Sequence, residues 1–91
     1  EAFDFGLVDR VVADGEVEET ALAWASSLAA GASVAIGLAK RAIDSGLDGS
    51  LPAGLDREAE AFTEAFSTKD AAVGIKSFLT DGPGKAKFTG T

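Results

Sequence analysis

The sequence contains no cysteine and no histidine, and these two absences exclude several kinds of chemistry at once. Without cysteine there is no disulfide and no thiolate nucleophile, and without either residue there is no Cys/His zinc site and no histidine general base. A small domain without disulfides is more typical of the cytosol than of the extracellular space, so we expect a cytoplasmic protein. No hydrophobic run approaches the length of a membrane span.

The chain also has few basic residues, and its formal net charge is -7. This balance argues against nucleic acid as a partner, because binding to phosphates requires a Lys/Arg surface. The charge is uneven, since the acidic excess lies in residues 1–68 while basic residues predominate in 69–91. The charged residues of this last part are Lys69, Lys76, Lys85 and Lys87, against Asp70 and Asp81. If an anionic ligand binds, we expect it at this end.

The first twelve residues are predicted to belong to a different structural unit from the rest. Glu1 to Phe5 is typical of the last turn of a helix that ends at Gly6. Gly6 to Val12 alternates and is rich in β-branched residues, which predicts a short strand. Because one strand cannot satisfy its own backbone hydrogen bonds, we expect a pairing partner outside this chain. We therefore divide the chain into residues 1–12, the end of a core domain, and 13–91, a helical region.

The whole chain, with 46% hydrophobic and 25% charged residues, is typical of a globular rather than a disordered protein. Its apolar periodicity predicts four helices, so the fold class is all-α with about four helices plus one short N-terminal strand. The predicted helices are Glu16 to Ala30, Val34 to Ser45, Leu51 to Phe66 and Asp70 to Thr80.

The ends of these helices are indicated by capping residues. Ser33 is a plausible N-cap of the second helix, and Thr68 or Asp70 of the fourth. Pro52 suits the first turn of the third helix. Gly82-Pro83-Gly84 ends the fourth helix.

The third helix presents an apolar face, formed by Leu55, Ala59, Phe62 and Phe66 at helical spacing. This pattern predicts a packing surface, and burial of each large side chain on it is worth about 1.5–3 kcal/mol. Glu60 and Glu64 could form a carboxylate pair for acid/base chemistry. They fall on the opposite, polar side of the helix, so a solvated face is the better interpretation.

Two short motifs have a functional and a structural interpretation. Gly82 to Lys85 is similar to the end of a phosphate-binding loop, but Leu79 replaces its first glycine and Ala86 its hydroxyl residue, so we reject that function. Lys85 and Lys87, beside Phe78 and Phe88, could contact a phosphorylated, partly aromatic ligand. The structural alternative is a solubilising tail.

Asp44-Ser45 raises a different class of function. An acidic four-helix chain with a central Asp-Ser resembles an acyl carrier protein, in which the serine carries phosphopantetheine at the start of a helix. Here Ser45 falls at the end of a predicted helix, and Gly46 stands where Leu or Met is expected. We keep a non-catalytic acidic helical interaction domain, or an acyl-carrier-like domain, as the alternative hypothesis.

The order of features along the whole chain resembles the C-terminal third of the enoyl-CoA hydratase/isomerase family, the crotonase-like enzymes. The residues that carry the resemblance are Gly6-Leu7-Val8-Asp9-Arg10-Val11-Val12, Leu38-Ala39-Lys40, Phe62, Asp70, Gly74-Ile75, Phe78 and Lys87-Phe88-Thr89-Gly90. The resemblance implies that the chain is a fragment acting in fatty-acid oxidation chemistry on acyl-CoA thioesters.

The resemblance implies further that catalysis is performed elsewhere. Family members hold two oxyanion-binding backbone N–H groups and one or two catalytic carboxylates in an N-terminal core, which would precede Glu1. Their C-terminal helices cover the site and build trimers, often paired into hexamers. We therefore assign no catalytic residue here, expect the fragment alone to be inactive, and expect coenzyme A as part of the substrate rather than a permanently bound cofactor.

Two residues are candidate contacts to the substrate by the same resemblance, and a third is a hypothesis of our own. Phe62 and Phe78 occupy positions where family members line the acyl or CoA pocket, Phe78 often across a subunit boundary. A basic residue three places after that Phe commonly meets the CoA 3'-phosphate, but this sequence has Asp81 there. We hypothesise that Lys85 takes that role instead.

Overall fold

The computed structural model describes all residues, 1–91, and is built from four helices. A short 3-10 turn, Asp14–Glu16, precedes the first helix. The helices are α1, Val17–Ala29; α2, Ser33–Leu47; α3, Leu51–Phe66; and α4, Lys69–Asp81. The all-α prediction is confirmed, and the bounds of α3 agree with the sequence pattern at both ends.

The predicted strand from Gly6 to Val12 is wrong for this chain, which contains no strand. The alternating β-branched pattern is present, but no other segment pairs with it, and an extended chain without a partner forms no ladder. The segment is instead held against α1, where the Arg10 guanidinium lies 4.3 Å from the centroid of the Trp24 ring.

The helical turn predicted before this segment is confirmed by its hydrogen bonds. The Phe5 N–H donates to the Glu1 carbonyl at 3.0 Å. At the end of the turn, Gly6 N–H donates to Phe3 at 3.0 Å and Leu7 N–H donates to Ala2 at 2.9 Å. This pair of bonds, with a positive φ of 70° at Gly6, is the Schellman geometry that closes a helical turn.

The chain turns by 98° between α1 and α2. Ser33 does not cap α2, contrary to the prediction, because Ala32 occupies the N-cap position and Ser33 is already helical. The side chain of Ser33 makes no capping bond and instead faces Gly90. No single helix is both long and apolar enough to cross a membrane, although α1 and α2 reach that length together as a bent pair.

Helices α2 and α3 form a hairpin around the short connection 48–50. Ser50 caps α3 by accepting from the Ala53 N–H at 3.4 Å, and a proline lies in the first turn as predicted. Across the hairpin, the Arg57 guanidinium donates to the Ser45 carbonyl, and Arg41 pairs with Glu64 at 3.5 Å. The hairpin is the main packing unit of the molecule, because α2 and α3 contact each other more extensively than any other pair of helices.

The sequence pattern predicts either Thr68 or Asp70 as the N-cap of α4. Thr68 is the cap, since its hydroxyl accepts from the Ala71 N–H at 3.1 Å. Asp70 is the second residue of α4, within its first turn, and its side chain has other partners. Helix α4 ends before Gly82, as predicted, and the chain turns back through residues 82–84. Residues 85–91, which we call the return segment, then run back along α4.

Very little of the molecule is enclosed. Leu38, 3% exposed, is the only buried hydrophobic residue, and Asp70, 2% exposed, is the only buried charged one. The apolar face predicted on α3 forms, but Leu55, Phe62 and Phe66 stay 54%, 63% and 58% exposed, so the expected burial does not occur within this chain. The radius of gyration is 16.6 Å, against about 12 Å for a compact chain of this length. The helices therefore present their apolar faces outward.

Candidate functional site

An apolar groove runs between α2 and α3, with a volume of about 550 Å³. Its walls extend from Ala35 to Leu47 on α2 and from Leu51 to Ala65 on α3. Phe62 lies in this groove, with its ring centroid 4.7 Å from that of Phe66. Glu58 is the only charged residue of the lining. A groove of this character suits an apolar chain or the apolar face of another protein segment.

A second cleft, with a volume of about 410 Å³, lies beside α4. It is bounded by the C-terminal end of α1, by α4, and by the turn and return segment that follow α4. Most of its lining is glycine, alanine and serine, and its two large side chains are Phe78 and Phe88. We call it the α1–α4 cleft. The cleft is therefore lined by small residues beside two aromatic rings.

The three candidate contact residues are divided between these two places. Phe78 lines the α1–α4 cleft and is 62% exposed. Lys85 is exposed and forms no ion pair within the chain, and its neighbours Gly84 and Ala86 both line that cleft. Phe62 lies in the α2–α3 groove instead. The structure thus associates Phe78 with the segment that carries Lys85, and it does not bring Phe62 to them.

The carboxylates of α3 have an ordinary structural role. Glu60 and Glu64 are both exposed, and Glu64 pairs with Arg41 across the hairpin at 3.5 Å. This arrangement agrees with the solvated polar face inferred from their spacing. No group of three or more acidic side chains lies close enough together to hold a metal ion.

Asp70 makes contacts that its position near the start of α4 does not predict. One carboxylate oxygen accepts from the Thr89 N–H at 2.9 Å and from the Thr89 hydroxyl at 3.3 Å. The other oxygen accepts from the Gly90 N–H at 2.8 Å. The Asp70 N–H in turn donates to the Thr91 carbonyl at 2.9 Å. Asp70 therefore binds the return segment through both its side chain and its backbone.

These hydrogen bonds lower the pKa of Asp70 from its ordinary value of 3.8. The Thr89 backbone N–H has the largest effect; burial opposes it by disfavouring the charged form, and the Gly90 N–H and the Thr89 hydroxyl lower the pKa further. Because Asp70 and its partners are 19 and 20 positions apart, no local pattern indicates the contact. The only sequence signal was an acidic residue near a helix start, which normally indicates a cap.

The fold and its open surfaces define the class of protein. It is an all-α module of four helices, and no other part of the chain covers its apolar groove or its cleft. Comparison with known families gives the particular assignment. The model of the enoyl-CoA hydratase/isomerase family matches residues 1–90, and the chain belongs to this family.

Individual relatives agree with this assignment. The chain is 38% identical over 79 residues to a short-chain-enoyl-CoA hydratase of Clostridium acetobutylicum, covering 87% of this chain and 30% of that protein. It is 38% identical over 78 residues to a short-chain-enoyl-CoA hydratase of Clostridioides difficile, covering 86% and 50%. It is 33% identical over 78 residues to a probable mitochondrial enoyl-CoA hydratase 2 of Arabidopsis thaliana, covering 86% and 26%. The chain thus spans between a quarter and a half of these relatives. No solved structure matches it significantly.

Proposed function

We propose that the chain is the C-terminal helical region of an enoyl-CoA hydratase/isomerase that acts on acyl-CoA thioesters. Residues 1–12 would complete a core domain, and residues 13–91 would supply oligomer contacts and part of the acyl/CoA pocket. The observation that carries the proposal is the uncovered α2–α3 groove, in a chain that matches the family over residues 1–90. A contiguous apolar surface of this kind is typical of a face that packs against further protein or ligand.

The proposed reaction is either the addition of water across a 2-enoyl-CoA or the shift of its double bond. Both need stabilisation of a thioester enolate by backbone N–H groups and proton transfer by a carboxylate. Asp70 is the only enclosed carboxylate of this chain, and its oxygens are already bonded to Thr89 and Gly90. We therefore place the catalytic groups in the rest of the enzyme. Coenzyme A enters as part of the substrate, with no permanently bound cofactor, and the location is cytoplasmic.

The α2–α3 groove and the α1–α4 cleft have different roles in this proposal. Phe62, in the α2–α3 groove, contacts the acyl chain. Phe78, in the α1–α4 cleft, contacts the acyl-CoA bound to a neighbouring subunit of a trimer or hexamer. Lys85, at the edge of the same cleft, contacts the CoA 3'-phosphate, in place of a basic residue at the position of Asp81. The exposure of Lys85 and its lack of an internal ion pair leave it available for this contact.

The experiment is steady-state hydration of a 2-enoyl-CoA by the whole enzyme, comparing wild type with Lys85→Ala at low ionic strength. Because an exposed charge pair contributes modestly, we expect KM to rise about two- to fivefold with kcat nearly unchanged. A substrate built on dephospho-CoA, which lacks the 3'-phosphate, should abolish the difference. Lys40→Ala is the matched control, because Lys40 already pairs with Asp44 at 3.3 Å. Equal KM values for wild type and Lys85→Ala would contradict the proposed contact between Lys85 and the 3'-phosphate.

The alternative is a non-catalytic helical interaction or acyl-carrier-like domain, and the open α2–α3 groove also fits the first of these. The carrier form is disfavoured by the position of Ser45, which lies in the last turns of α2 with its hydroxyl donating to the Arg41 carbonyl at 2.6 Å. A phosphopantetheine adduct on Ser45, found by intact mass measurement, would support the carrier. An absence of activity toward every enoyl-CoA would support the interaction domain.

A further inference from the structure

The return segment, residues 85–91, is attached to two helices by three successive contacts. The ring of Phe88 packs on Gly74 of α4, where a Cβ atom would lie 3.4 Å from the Phe88 Cε1. Thr89 and Gly90 bind the Asp70 carboxylate at the start of α4. Gly90 also lies against the start of α2, where a Cβ atom added to it would come within 2.6 Å of the Ser33 Oγ.

The contact with Asp70 is the only one of the three that involves a charged group. Two consecutive backbone N–H groups, of Thr89 and Gly90, point at the two oxygens of one carboxylate, which is the arrangement of an anion-binding backbone nest. The positive φ of 74° at Gly90 belongs to this turn of the backbone. Hydrogen bonds to an ionised acceptor are stronger than those between neutral groups, and enclosure of Asp70 shields them from water.

The same segment forms one wall of the α1–α4 cleft. Ala86 and Phe88 line that cleft together with the turn 82–84, while Phe78 lines it from α4. Lys85 lies between the turn and Ala86. The position of this wall therefore depends on what holds residues 88–90 in place.

We propose that Asp70 is a positioning residue, which holds the return segment closed as the wall of the α1–α4 cleft and so keeps Lys85 beside Phe78. It acts through Thr89 and Gly90 and touches no ligand itself. That the cleft receives part of an acyl-CoA rests on the proposed function, whereas closure of the segment by Asp70 is independent of it.

The first test is hydrogen exchange of the intact protein, comparing wild type with Asp70→Asn. The asparagine has nearly the same size but turns an N–H₂ group toward a backbone donor and removes the charge. Loss of these hydrogen bonds should make the Thr89 and Gly90 amides exchange about tenfold faster or more. Exchange in the α2–α3 hairpin should stay unchanged. Asp56→Asn, at an exposed carboxylate of α3 without an ion pair, is the matched control and should leave the return segment protected.

A second variant disrupts the same contact by changing the return segment and leaving Asp70 in place. Gly90→Ala leaves α4 intact but requires a strained positive φ and a Cβ atom 2.6 Å from the Ser33 Oγ. It should release the segment as Asp70→Asn does. If amide exchange in the return segment becomes faster in both variants, a weakened start of α4 cannot be the cause, because Gly90→Ala leaves α4 intact. Unchanged exchange of the segment in Asp70→Asn would overturn the proposal.

The second test measures hydration of an enoyl-CoA by the same variants. Displacement of the cleft wall should raise KM about threefold or more with kcat nearly unchanged, because the reacting groups are not touched. An unchanged KM in an active enzyme with a released segment would overturn the positioning role. If wild type shows no activity toward any acyl-CoA, the proposed function fails, and the exchange measurement alone decides whether Asp70 closes the segment.

Discussion

Gly46 of α2 and Gly54 of α3 approach so closely that a Cβ atom at Gly54 would lie 3.5 Å from both the Cα atom and the carbonyl oxygen of Gly46. That distance is an ordinary van der Waals contact, so one methyl group fits and a longer side chain does not. The two glycines thus set how near the helices of the hairpin come to each other, and they form part of the α2–α3 groove.

The first prediction concerns the size of the residue at this contact. Gly54→Ala should raise the free energy of unfolding by about 0.5–1 kcal/mol, because alanine restricts the unfolded chain and favours the helix. Gly37→Ala, in α2 with no atom near its Cβ position, is the matched control and should give a similar gain. Gly54→Leu should destabilise by about 1–3 kcal/mol through overpacking. Urea denaturation followed by circular dichroism measures all three, and a loss of stability in Gly54→Ala would contradict the expected fit.

The second prediction concerns Leu38, the single buried hydrophobic side chain. Leu38→Ala removes the packing contacts of this buried side chain, so the free energy of unfolding should fall by about 2–5 kcal/mol. Leu79→Ala is the control, since Leu79 is 77% exposed and its truncation should change stability by less than about 0.5 kcal/mol. The same denaturation measurement applies. Equal effects of the two truncations would show that Leu38 is not the centre of the packing.

The third prediction concerns the start of α4. Thr68→Ala removes the hydroxyl that accepts from the Ala71 N–H, and should cost about 1 kcal/mol of stability. Thr68→Ser keeps the hydroxyl and should remain close to wild type. Thermal unfolding compares the two variants, and an alanine variant as stable as the serine variant would mean that water satisfies this N–H equally well.

The helices could be predicted from the sequence because their causes are local. The apolar spacing of Leu55, Phe62 and Phe66 and the proline near the start of α3 lie within a few turns of one another, and α3 begins and ends where this pattern predicts. The segment from Gly6 to Val12 shows the opposite case. Its pattern is that of a strand, but strand formation needs hydrogen bonds from a distant partner, and none is present in this chain.

The candidate site also has features with local causes, which could be predicted, and features that depend on distant residues, which could not. The association of Phe78 with the segment carrying Lys85 follows from the Gly-Pro-Gly turn, which is visible in the sequence. The closure of that segment by Asp70 was not predictable, because it joins residues 19 and 20 positions apart. Burial was not predictable either: helical spacing indicates which face is apolar, but it does not indicate whether this chain or another one covers it.

The last prediction concerns the pH dependence of stability that Asp70 causes. Its pKa in the folded chain is lowered below the ordinary value of 3.8, so folding favours the charged carboxylate. The contribution of Asp70 to the stability of the fold is therefore fully present above the ordinary pKa. It is lost as the pH falls from that value through the lower pKa of the folded chain. In Asp70→Asn this part of the pH dependence should be missing. The difference in unfolding free energy between wild type and Asp70→Asn should thus stay constant from neutral pH to about pH 5 and shrink in stronger acid. Because the other carboxylates titrate in both proteins, they cancel in this difference, which denaturation curves at a series of pH values provide. A difference that stays constant in strong acid would mean that the ionised form of Asp70 is not what holds Thr89 and Gly90.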